Sequence, residues 1–466
     1  MALALLLRLS NLEGKSLWLD EISSLTFASM DWHSFWALAQ QHEGNMLAYY
    51  LLLRAWIHLG DGQAVAKILS IIFGVATVPA MYALGKELYG RRVGLISAFL
   101  LTVSACHVRA SQWIRSYSLM LLMLVLATWF LARMLERPTW LNCSLYVLTS
   151  AFSVYNHFYA VLVLGTQVVS VLWLAPRNVA RWRIVLSWLA LGLLLAPAAG
   201  YVFCRNTGQL DWILPPQPRE VLHWAVFLAG GGGTGVAYAL LLICIVLCAI
   251  SFFAIRRRWT NPIRSLDNWR LAFPFLWLII PVGTAFLASY AKPIFFFRYL
   301  IICLPAFILI VAHGIAAWRP SLLRTATLAI ALCLSLITVV LAFKTEEDWA
   351  GSMHYLLAHV QPGEPVFAGT GIGPLQYYST RHYGNSKHFD LPDYAHAENA
   401  PSDLARTHPR IWVVVFPNFH PEPRTVALLQ ALAPVYRVKE EKKFKAVTVE
   451  LLEADPQRAM KPTSPE

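Results

Sequence analysis

The sequence predicts an all-α polytopic membrane protein with a small α/β domain at its C-terminus. Hydrophobic residues make up 57% of the 466-residue chain and charged residues 14%, and the mean hydropathy is +0.52. Soluble domains carry about a quarter charged residues, so most of this chain is expected to face lipid. After residue 343 the composition becomes polar, which marks a change of domain.

Ten apolar runs are long enough to cross a bilayer, which takes about 20 residues of helix. A short apolar stretch at the N-terminus is interpreted as a truncated first span, giving about 11 spans in all. Segment 46–60 is also apolar but shorter, and is expected to lie flat at the interface. The ten predicted spans lie near residues 66–85, 93–110, 116–135, 140–155, 158–175, 184–204, 236–255, 271–290, 299–318 and 322–343.

The distribution of basic residues orients these spans. With eleven spans, the loops on one side carry 15 arginines and lysines, and the later loops on the other side carry 6. The positive-inside rule makes the first set cytoplasmic, so the loop at residues 10–65 and the C-terminus are predicted to be extracytoplasmic. The net charge of +12 is then a consequence of topology, and no nucleic-acid partner is predicted.

The predicted organisation has three parts. Residues 1–343 form the transmembrane domain, with interfacial helices in the outer loop 10–65. Residues 344–454 form an extracytoplasmic α/β domain, and residues 455–466 form a disordered tail. In the α/β domain, segments 365–368, 411–416 and 446–452 are predicted strands, and 373–380 and 423–432 are predicted helices.

An acidic pair, Asp20 and Glu21, follows a Leu-Trp-Leu run early in the outer loop. Acids beside tryptophan belong at the boundary between water and lipid, where a catalyst acting on a lipid-tethered substrate needs them. The alternative is helix capping, because aspartate is a favoured N-cap residue. Asp31 fits the same capping pattern. Spacing alone leaves both roles open for Asp20, and the two roles are compatible.

A second acid lies in the turn that ends the outer loop. Glu43 follows His42 and stands two residues before Asn45, directly ahead of the interfacial segment. A polar turn is the plain explanation of these residues. Alternatively, a second acid in the same loop as Asp20 helps to position a sugar or an acceptor hydroxyl.

Basic residues at the predicted outer face indicate a phosphate site. The positive-inside bias should exclude arginine there, so each cation either snorkels to lipid headgroups or binds a specific anion. Two groups on one face favour a phosphate clamp, because the arginine fork suits phosphate oxygens. His157, in a tight outer turn, is either part of an interfacial aromatic belt or a further phosphate contact. The groups are His107, Arg109, Arg115 and Tyr117, and Lys292, Arg298 and Tyr299.

Cofactor motifs are weak. The glycines at 230–233 lack the Lys-Ser/Thr of a P-loop, and those at 369–373 lack the acid expected in a dinucleotide-binding unit. The seven cysteines show neither a metal spacing nor a disulfide framework. The sequence therefore predicts no cofactor and no metal site, although it does not exclude a divalent metal.

The order of these motifs resembles a known family. The chain has an early Asp-Glu after Leu-Trp, a polar turn before an apolar Tyr-Tyr segment, and an Arg-Ser-Tyr motif at 115–117. Tyr-Asn-His at 155–157 and Arg-Tyr-Leu at 298–300 follow. This order resembles the GT-C glycosyltransferases of family 39 and the related RgtA/B/C/D-like group, relatives of the protein O-mannosyltransferases and the lipid A aminoarabinose transferase. The chain departs at Gly44-Asn45-Met46, where many relatives have Pro-Pro, and at Lys67, where arginine is common.

The resemblance implies a GT-C fold and an inverting glycosyltransferase in the cytoplasmic (inner) membrane. The donor would be a polyprenyl-phosphate sugar at the outer face, and the acceptor a hydroxyl of a glycolipid, glycan or protein. Asp20 would be the general base, Glu43 would orient the acceptor, and Glu21 would hold the loop or neutralise a cation. The leaving phosphate would be stabilised by Arg115 and Arg298, with Lys292 or His157 in support.

The main alternative is a transporter or flippase for lipid-linked glycans. Such a protein would carry ionisable residues deep inside its spans, whereas the predicted span interiors here are almost free of charge. An O-antigen ligase or polymerase is a further alternative. Those enzymes depend on a large late outer loop, and the acids of this chain come early.

Overall fold

A computed structural model describes residues 1–41, 43–60, 62–176, 181–204, 210, 212–344, 346–381, 401–416 and 423–455. His42 and residues 456–466 of the predicted tail lie outside the described residues. The chain divides into two compact units. The transmembrane unit comprises Met1–Leu12 and Phe27–Phe343, and the C-terminal unit comprises Glu13–Thr26 and Lys344–Glu466. The sequence did not predict that the segment containing Asp20 belongs with the C-terminal unit.

The transmembrane unit is built from helices. Three-residue and five-residue 3₁₀ helices, Ile57–Leu59 and Tyr299–Cys303, lie before α5 and α15. The helices up to residue 343 are α1 (Ala2–Leu9), α2 (Leu19–Ser29), α3 (Trp32–Gln41), α4 (Leu47–Trp56), α5 (Gln63–Tyr89), α6 (Arg91–Thr102), α7 (Ala105–Gln112), α8 (Tyr117–Glu136), α9 (Trp140–Asn156), α10 (Ala160–Leu174), α11 (Arg181–Cys204), α12 (Pro218–Gly230), α13 (Gly235–Arg258), α14 (Leu266–Ala288), α15 (Leu304–Ala317) and α16 (Ser321–Ala342).

The chain is a multi-pass membrane protein, as predicted. In the described part of the chain, seven helices are long and apolar enough to cross a bilayer, or eight if α6 and α7 form one broken span. Every predicted apolar run coincides with a helix or, for 93–110, with that pair. Helix α10, at 15 residues, is shorter than a bilayer-spanning helix usually is. The count of 11 spans therefore stays a prediction.

The predicted span at 93–110 is not one continuous helix. Helix α6 ends at Thr102, α7 begins at Ala105, and the axis turns by 57° between them. Ser104 is the N-cap of α7, and its hydroxyl accepts the backbone N–H of His107 at 3.4 Å. The break places His107 and Arg109 in a short helix of their own.

Helix α5 approaches α7 closely at Gly74. A Cβ atom at this position would lie 2.6 Å from the Cβ of Ser111 and closer still to its hydroxyl. Real Cβ atoms do not come so near to other heavy atoms, so this packing requires glycine at position 74. Ser111 is itself fully buried, which leaves its side chain little room to move.

We expect Gly74→Ala to lower the thermal stability of the detergent-purified protein, because overpacking a tight contact costs about 1–3 kcal/mol. Gly165→Ala in α10 is the matched control, since a Cβ there meets no heavy atom within 4 Å. Alanine is the better helix former by about 0.5–1 kcal/mol, so the control should be neutral or stabilising. Equal unfolding temperatures for the two variants would contradict the packing argument.

The C-terminal unit contains a four-stranded sheet, as the sequence predicted in outline. The strands are β1 (Val366–Phe367), β2 (Arg410–Val415), β3 (Tyr436–Phe444) and β4 (Val447–Ala454), in the order β1-β2-β4-β3. Strands β1 and β2 are parallel, and the other pairs are antiparallel. The helices are α17 (Trp349–His359), α18 (Ile372–Arg381), α19 (Pro401–Thr407) and α20 (Pro423–Leu432). The three predicted strands and the predicted helices 373–380 and 423–432 are confirmed, with small shifts of their ends, whereas β3, α17 and α19 were missed.

The core of the C-terminal unit lies between the sheet and its helices. Phe367, Ile411 and Val413 from the sheet pack with Leu428 and Leu432 of α20. Each of these side chains is almost fully buried. This packing accounts for the helix and two of the strands that the sequence predicted, because their apolar residues face one core.

Candidate functional site

Two predicted outer arginines share one tryptophan ring in the transmembrane unit. The guanidinium carbons of Arg109 and Arg298 each lie 5.7 Å from the centroid of the Trp113 ring. Arg109 belongs to α7, Trp113 follows that helix directly, and Arg298 precedes the 3₁₀ helix Tyr299–Cys303. Two cations at one ring create a positive potential that attracts an anion.

Arg115 is linked to the second predicted acid. Its side chain is 7% exposed, and its Nη1 donates a long hydrogen bond to the Tyr50 hydroxyl, at 3.5 Å. The Tyr50 hydroxyl in turn donates to the Glu43 carboxylate, also at 3.5 Å. The fold therefore brings Glu43 and Arg115 to opposite sides of one tyrosine hydroxyl, although 72 positions separate them in the sequence.

The backbone of Arg115 is also fixed. The Ser70 hydroxyl of α5 donates to the carbonyl oxygen of Arg115 at 3.4 Å, and the hydroxyls of Ser70 and Tyr49 are 2.9 Å apart. Both Ser70 and Tyr49 are fully buried. Helices α4 and α5 thus hold the segment that carries Arg115, which limits the positions its guanidinium can take.

An aromatic group adjoins these cations. The ring of Tyr117 lies 5.6 Å from that of Trp113 and 5.8 Å from that of His157, counted between centroids. His157 and Tyr159 lie 5.1 and 5.0 Å from Tyr299. Three of the predicted residues, Tyr117, His157 and Tyr299, therefore meet in one place. Trp113 and Tyr159 join them without having been predicted.

His157 is a neutral hydrogen-bond donor in this site. Burial, with a smaller contribution from the Arg115 cation, lowers the pKa of His157 to about 3. Its Nδ1 accepts the backbone N–H of Tyr159 at 3.3 Å, so the ring proton is assigned to Nε2. That Nε2 is buried and has no acceptor among the described residues. His157 can therefore donate one hydrogen bond to a ligand, but it does not add positive charge.

Asn45 joins two turns of the transmembrane unit. Its side-chain oxygen accepts the backbone N–H of Phe158 at 3.0 Å, next to His157. The backbone N–H of Gly44 donates to the Tyr201 hydroxyl at 3.0 Å, and a Cβ at Gly44 would come within 2.7 Å of that ring. The glycine and asparagine that stand in place of the relatives' Pro-Pro turn thus have a packing role here.

Two predicted residues lie apart from this group. The Nδ1 atom of the fully buried His107 is 2.6 Å from Nη2 of Arg8, a residue that the sequence reasoning did not single out. Lys292 follows α14 and is exposed, and no other described residue forms a hydrogen bond or ion pair with its side chain. Arginine in a short apolar helix was the available signal for Arg8.

The Asp20–Glu21 pair lies at the start of α2, in the C-terminal unit. The helix begins at Leu19, and the carbonyl of Trp18 accepts its first intrahelical bond, so Trp18 is the N-cap. Asp20 is therefore in the first turn of α2, one residue after its start, and its capping role stays a prediction. Glu21, 3% exposed, performs part of that role, because its carboxylate accepts the Trp18 N–H at 3.2 Å. Asp20 is half-buried in the first turn.

The capping prediction for Asp31 is confirmed. Its Oδ1 accepts the backbone N–H groups of His33 and Ser34 at 2.9 and 3.0 Å, at the start of α3. A hydrogen bond from the Ser34 side chain, followed by these backbone hydrogen bonds, lowers the pKa of the Asp31 carboxyl below its usual value.

The start of α2 is anchored within the C-terminal unit. The Tyr378 hydroxyl accepts the backbone N–H of Leu17 at 2.7 Å and lies 3.2 Å from the Ser16 hydroxyl. The Glu347 carboxylate accepts the backbone N–H of Leu19 at 2.9 Å. Helix α18 and the segment before α17 thus fix the backbone that carries Asp20.

The described residues contain no group of three His, Cys, Asp or Glu side chains able to hold a metal ion. The prediction that the protein uses no metal or cofactor stays a prediction.

Part of the chain matches a family of known description. Residues 43–202 match the sequence model of dolichyl-phosphate-mannose-protein mannosyltransferases. This segment is about a third of the chain and includes Glu43, Arg109, Arg115, Tyr117 and His157. No curated protein sequence matches the chain significantly.

Solved structures agree with nearly the whole chain. ArnT from Cupriavidus metallidurans in the apo state is 13% identical, with a TM-score of 0.59 over 97% of this chain and 96% of ArnT. The chain has a GT-C fold. ArnT bound to undecaprenyl phosphate is 12% identical, with a TM-score of 0.56 over the same shares. The match in fold confirms the resemblance to GT-C glycosyltransferases that the sequence predicted.

Proposed function

We propose that this protein is an inverting glycosyltransferase that moves a sugar from a polyprenyl-phosphate donor to an acceptor hydroxyl. The observation that carries the proposal is the placement of Arg109 and Arg298 at the Trp113 ring and of Arg115 at the Tyr50 hydroxyl, on a GT-C fold. The matched family is described by a dolichyl-phosphate sugar, and one ArnT structure holds undecaprenyl phosphate. Both are polyprenyl phosphates, so the same donor class fits the cations of this chain.

The cations act on the leaving group. When the bond between the sugar and the phosphate breaks, negative charge grows on the phosphate oxygens. Arginine donors placed beforehand around that charge stabilise the transition state more than the ground state. The Nε2–H of His157 supplies a neutral donor, while Lys292, exposed and unattached to the group, is a secondary candidate.

The acids act on the acceptor. Asp20 is proposed as the general base that takes the proton of the acceptor hydroxyl as its oxygen attacks the anomeric carbon from the side opposite the phosphate. Attack from that side inverts the configuration at the anomeric carbon. Glu21 keeps the start of α2 in place through its bond to Trp18. Glu43, joined to Arg115 through Tyr50, orients the acceptor or the sugar.

The reaction is proposed to occur at the outer face of the cytoplasmic membrane. The excess of basic residues in the alternate loops supports this placement of the Asp20 loop and of the C-terminal domain, residues 344–454. The acceptor is proposed to be a molecule with a hydroxyl group. Its class is a glycolipid, a glycan or a protein. Membrane lipids surround the apolar helices.

Transfer from a labelled donor tests the proposal. The purified protein is reconstituted in phospholipid vesicles with radiolabelled undecaprenyl-phosphate sugars and with cell-envelope glycolipids as acceptors. We expect the label to appear in an acceptor, with undecaprenyl phosphate released, and transfer to be about 10- to 100-fold weaker with Arg115→Ala. The acceptor is then identified by mass spectrometry of envelope lipids and glycans from a deletion strain. Movement of the labelled lipid between leaflets without transfer would instead support the transporter alternative.

A further inference from the structure

Among the arginines whose side chains the structure describes, Arg8 in α1 is the most buried. Its side chain is 0% exposed. Its Nη1 donates to the carbonyl oxygens of Ala4 and Thr102, at 3.0 and 3.2 Å. Its Nη2 donates to the carbonyl of Leu101 at 3.3 Å. Two of these three carbonyls belong to the last turn of α6.

The same guanidinium also contacts α7. Its Nε donates to the Ser111 hydroxyl at 3.3 Å, and its Nη2 lies 2.6 Å from Nδ1 of His107. Because arginine can only donate, Nδ1 of His107 is the acceptor. The five N–H donors of Arg8 are therefore all engaged by neutral protein acceptors, and Arg8 has no donor left for a substrate.

Arg8 thus lies at the break between two helices. The carbonyls of Leu101 and Thr102 are among those that a helix leaves without intrahelical partners at its C-terminus. A cation there is favoured by the helix dipole. One side chain satisfies the end of α6 and at the same time holds two residues of α7, the helix that turns away by 57°.

Helix α7 holds α1 in return. The side-chain amide of Gln112 donates to the carbonyls of Arg8 and Ser10, at 3.0 and 2.8 Å. Gly74 of α5 makes room for this contact, because a Cβ there would lie 3.4 Å from Nε of Arg8 besides overlapping Ser111. Helices α1, α5, α6 and α7 therefore meet at a single buried charge.

The residues that follow this contact belong to the candidate phosphate site. Arg109 stands between His107 and Ser111 in α7, and Trp113 directly follows Gln112. A helix of 8 residues has little stability of its own, so its orientation depends on its tertiary contacts. A change in the tilt or rotation of α7 would move Arg109 and Trp113 together.

We propose that Arg8 is a positioning residue, which fixes α7 at the helix break and thereby sets the geometry of Arg109, Trp113 and Arg115 toward a lipid phosphate. The proposal rests on the proposed function for the identity of the ligand. It does not make Arg8 a phosphate ligand, and it differs from a purely structural role because it links α7 to donor affinity.

The test compares Arg8→Met, which keeps the side-chain length and removes the fork, with Arg183→Met. Arg183 is the matched control, because it also joins helices through a backbone carbonyl, that of Pro138, but lies outside this group. Hydrogen–deuterium exchange of residues 103–116 reports on α7, and binding of undecaprenyl phosphate in detergent reports on the site. We expect faster exchange in α7 and affinity lowered about 10- to 100-fold for Arg8→Met, the usual cost of misplaced groups, with little change for Arg183→Met.

If Arg8→Met does not fold, Arg8→Lys and Ser111→Ala are measured in its place. Lysine retains the charge but not the fork, so it should restore stability more than affinity. Unchanged exchange in α7 would overturn the positioning role. Faster exchange with unchanged affinity would also overturn it, leaving Arg8 as a stabilising residue only. If the wild-type protein binds undecaprenyl phosphate but transfers no sugar, the proposed function fails while the binding comparison still decides the role of Arg8. If the wild-type protein does not bind it, both proposals fall.

Discussion

Asp20→Asn should lower kcat for sugar transfer by about 10²–10⁴-fold, the range that a general base contributes. An amide has the size of a carboxylate but cannot take the proton of the acceptor hydroxyl. The start of α2 is also held by other contacts, because Glu21 accepts the N–H of Trp18 and Glu347 accepts the N–H of Leu19. Membrane insertion and thermal stability should therefore survive the change, and initial transfer rates at saturating donor measure it.

Asp31→Asn is the matched control for this variant. It also exchanges a carboxylate for an amide near the start of a helix, and asparagine is as good an N-cap as aspartate. Its transfer rate should stay close to that of the wild-type protein. Full activity of purified Asp20→Asn would remove the base assignment. Glu43→Gln would then become the decisive variant, since Glu43 is the acid linked to Arg115 through Tyr50.

The spans were predictable because their signal is local. A run of about 20 apolar residues has few alternatives to a membrane helix, and the helices coincide with the predicted runs. The break between α6 and α7 was not predictable in the same way. Neither proline nor glycine marks residues 102–105, and only Ser104, a capping residue, signals the new helix start.

In the C-terminal unit, the sequence predicted the strands whose apolar residues face the core, but it did not predict β3. Strand β3 lies at the sheet edge, and seven of its nine residues are exposed. It therefore shows little of the alternation that predicts a half-buried strand. Its lysines and glutamates suit an edge that must not pair with another chain.

The charged residues of the candidate site could be predicted from the sequence, but the aromatic residues that contact them could not. Arginine against the positive-inside bias identified Arg109, Arg115 and Arg298, and the fold brings the first and last of them to Trp113 and Arg115 to Tyr50. An apolar or aromatic residue in a membrane helix carries no such signal, so those two partners could only be found from the structure.

Long-range contacts also explain why the role of Arg8 could not be predicted from the sequence. Its partners in α6 and α7 are 93 to 103 positions away in the sequence. No local pattern records such a distance. The charge alone was visible, and a single arginine at the end of a short apolar helix reads equally well as a snorkelling side chain.

Arg115→Ala should lower kcat/KM for the donor by about 10- to 100-fold, because a hydrogen bond to a charged group contributes about 1.5–3 kcal/mol. This loss should appear as a higher KM for the donor or a lower kcat, and the KM for the acceptor should change little. Arg133→Ala is the matched control, since Arg133 lies in the last turn of α8, the helix that begins two residues after Arg115, and is exposed beside Trp129. Its rate should equal that of the wild-type protein.

Two further variants separate charge from packing at Arg115. Arg115→Lys keeps the charge but loses the fork that binds two phosphate oxygens at once, so its activity should lie between those of the wild-type protein and Arg115→Ala. Tyr50→Phe keeps the ring and removes the hydroxyl between Arg115 and Glu43, so a phosphate role predicts a smaller loss than Arg115→Ala. If Tyr50→Phe is as inactive as Arg115→Ala, the arginine acts by holding Glu43. An unchanged rate of Arg115→Ala at low donor would mean that Arg115 only snorkels toward lipid headgroups.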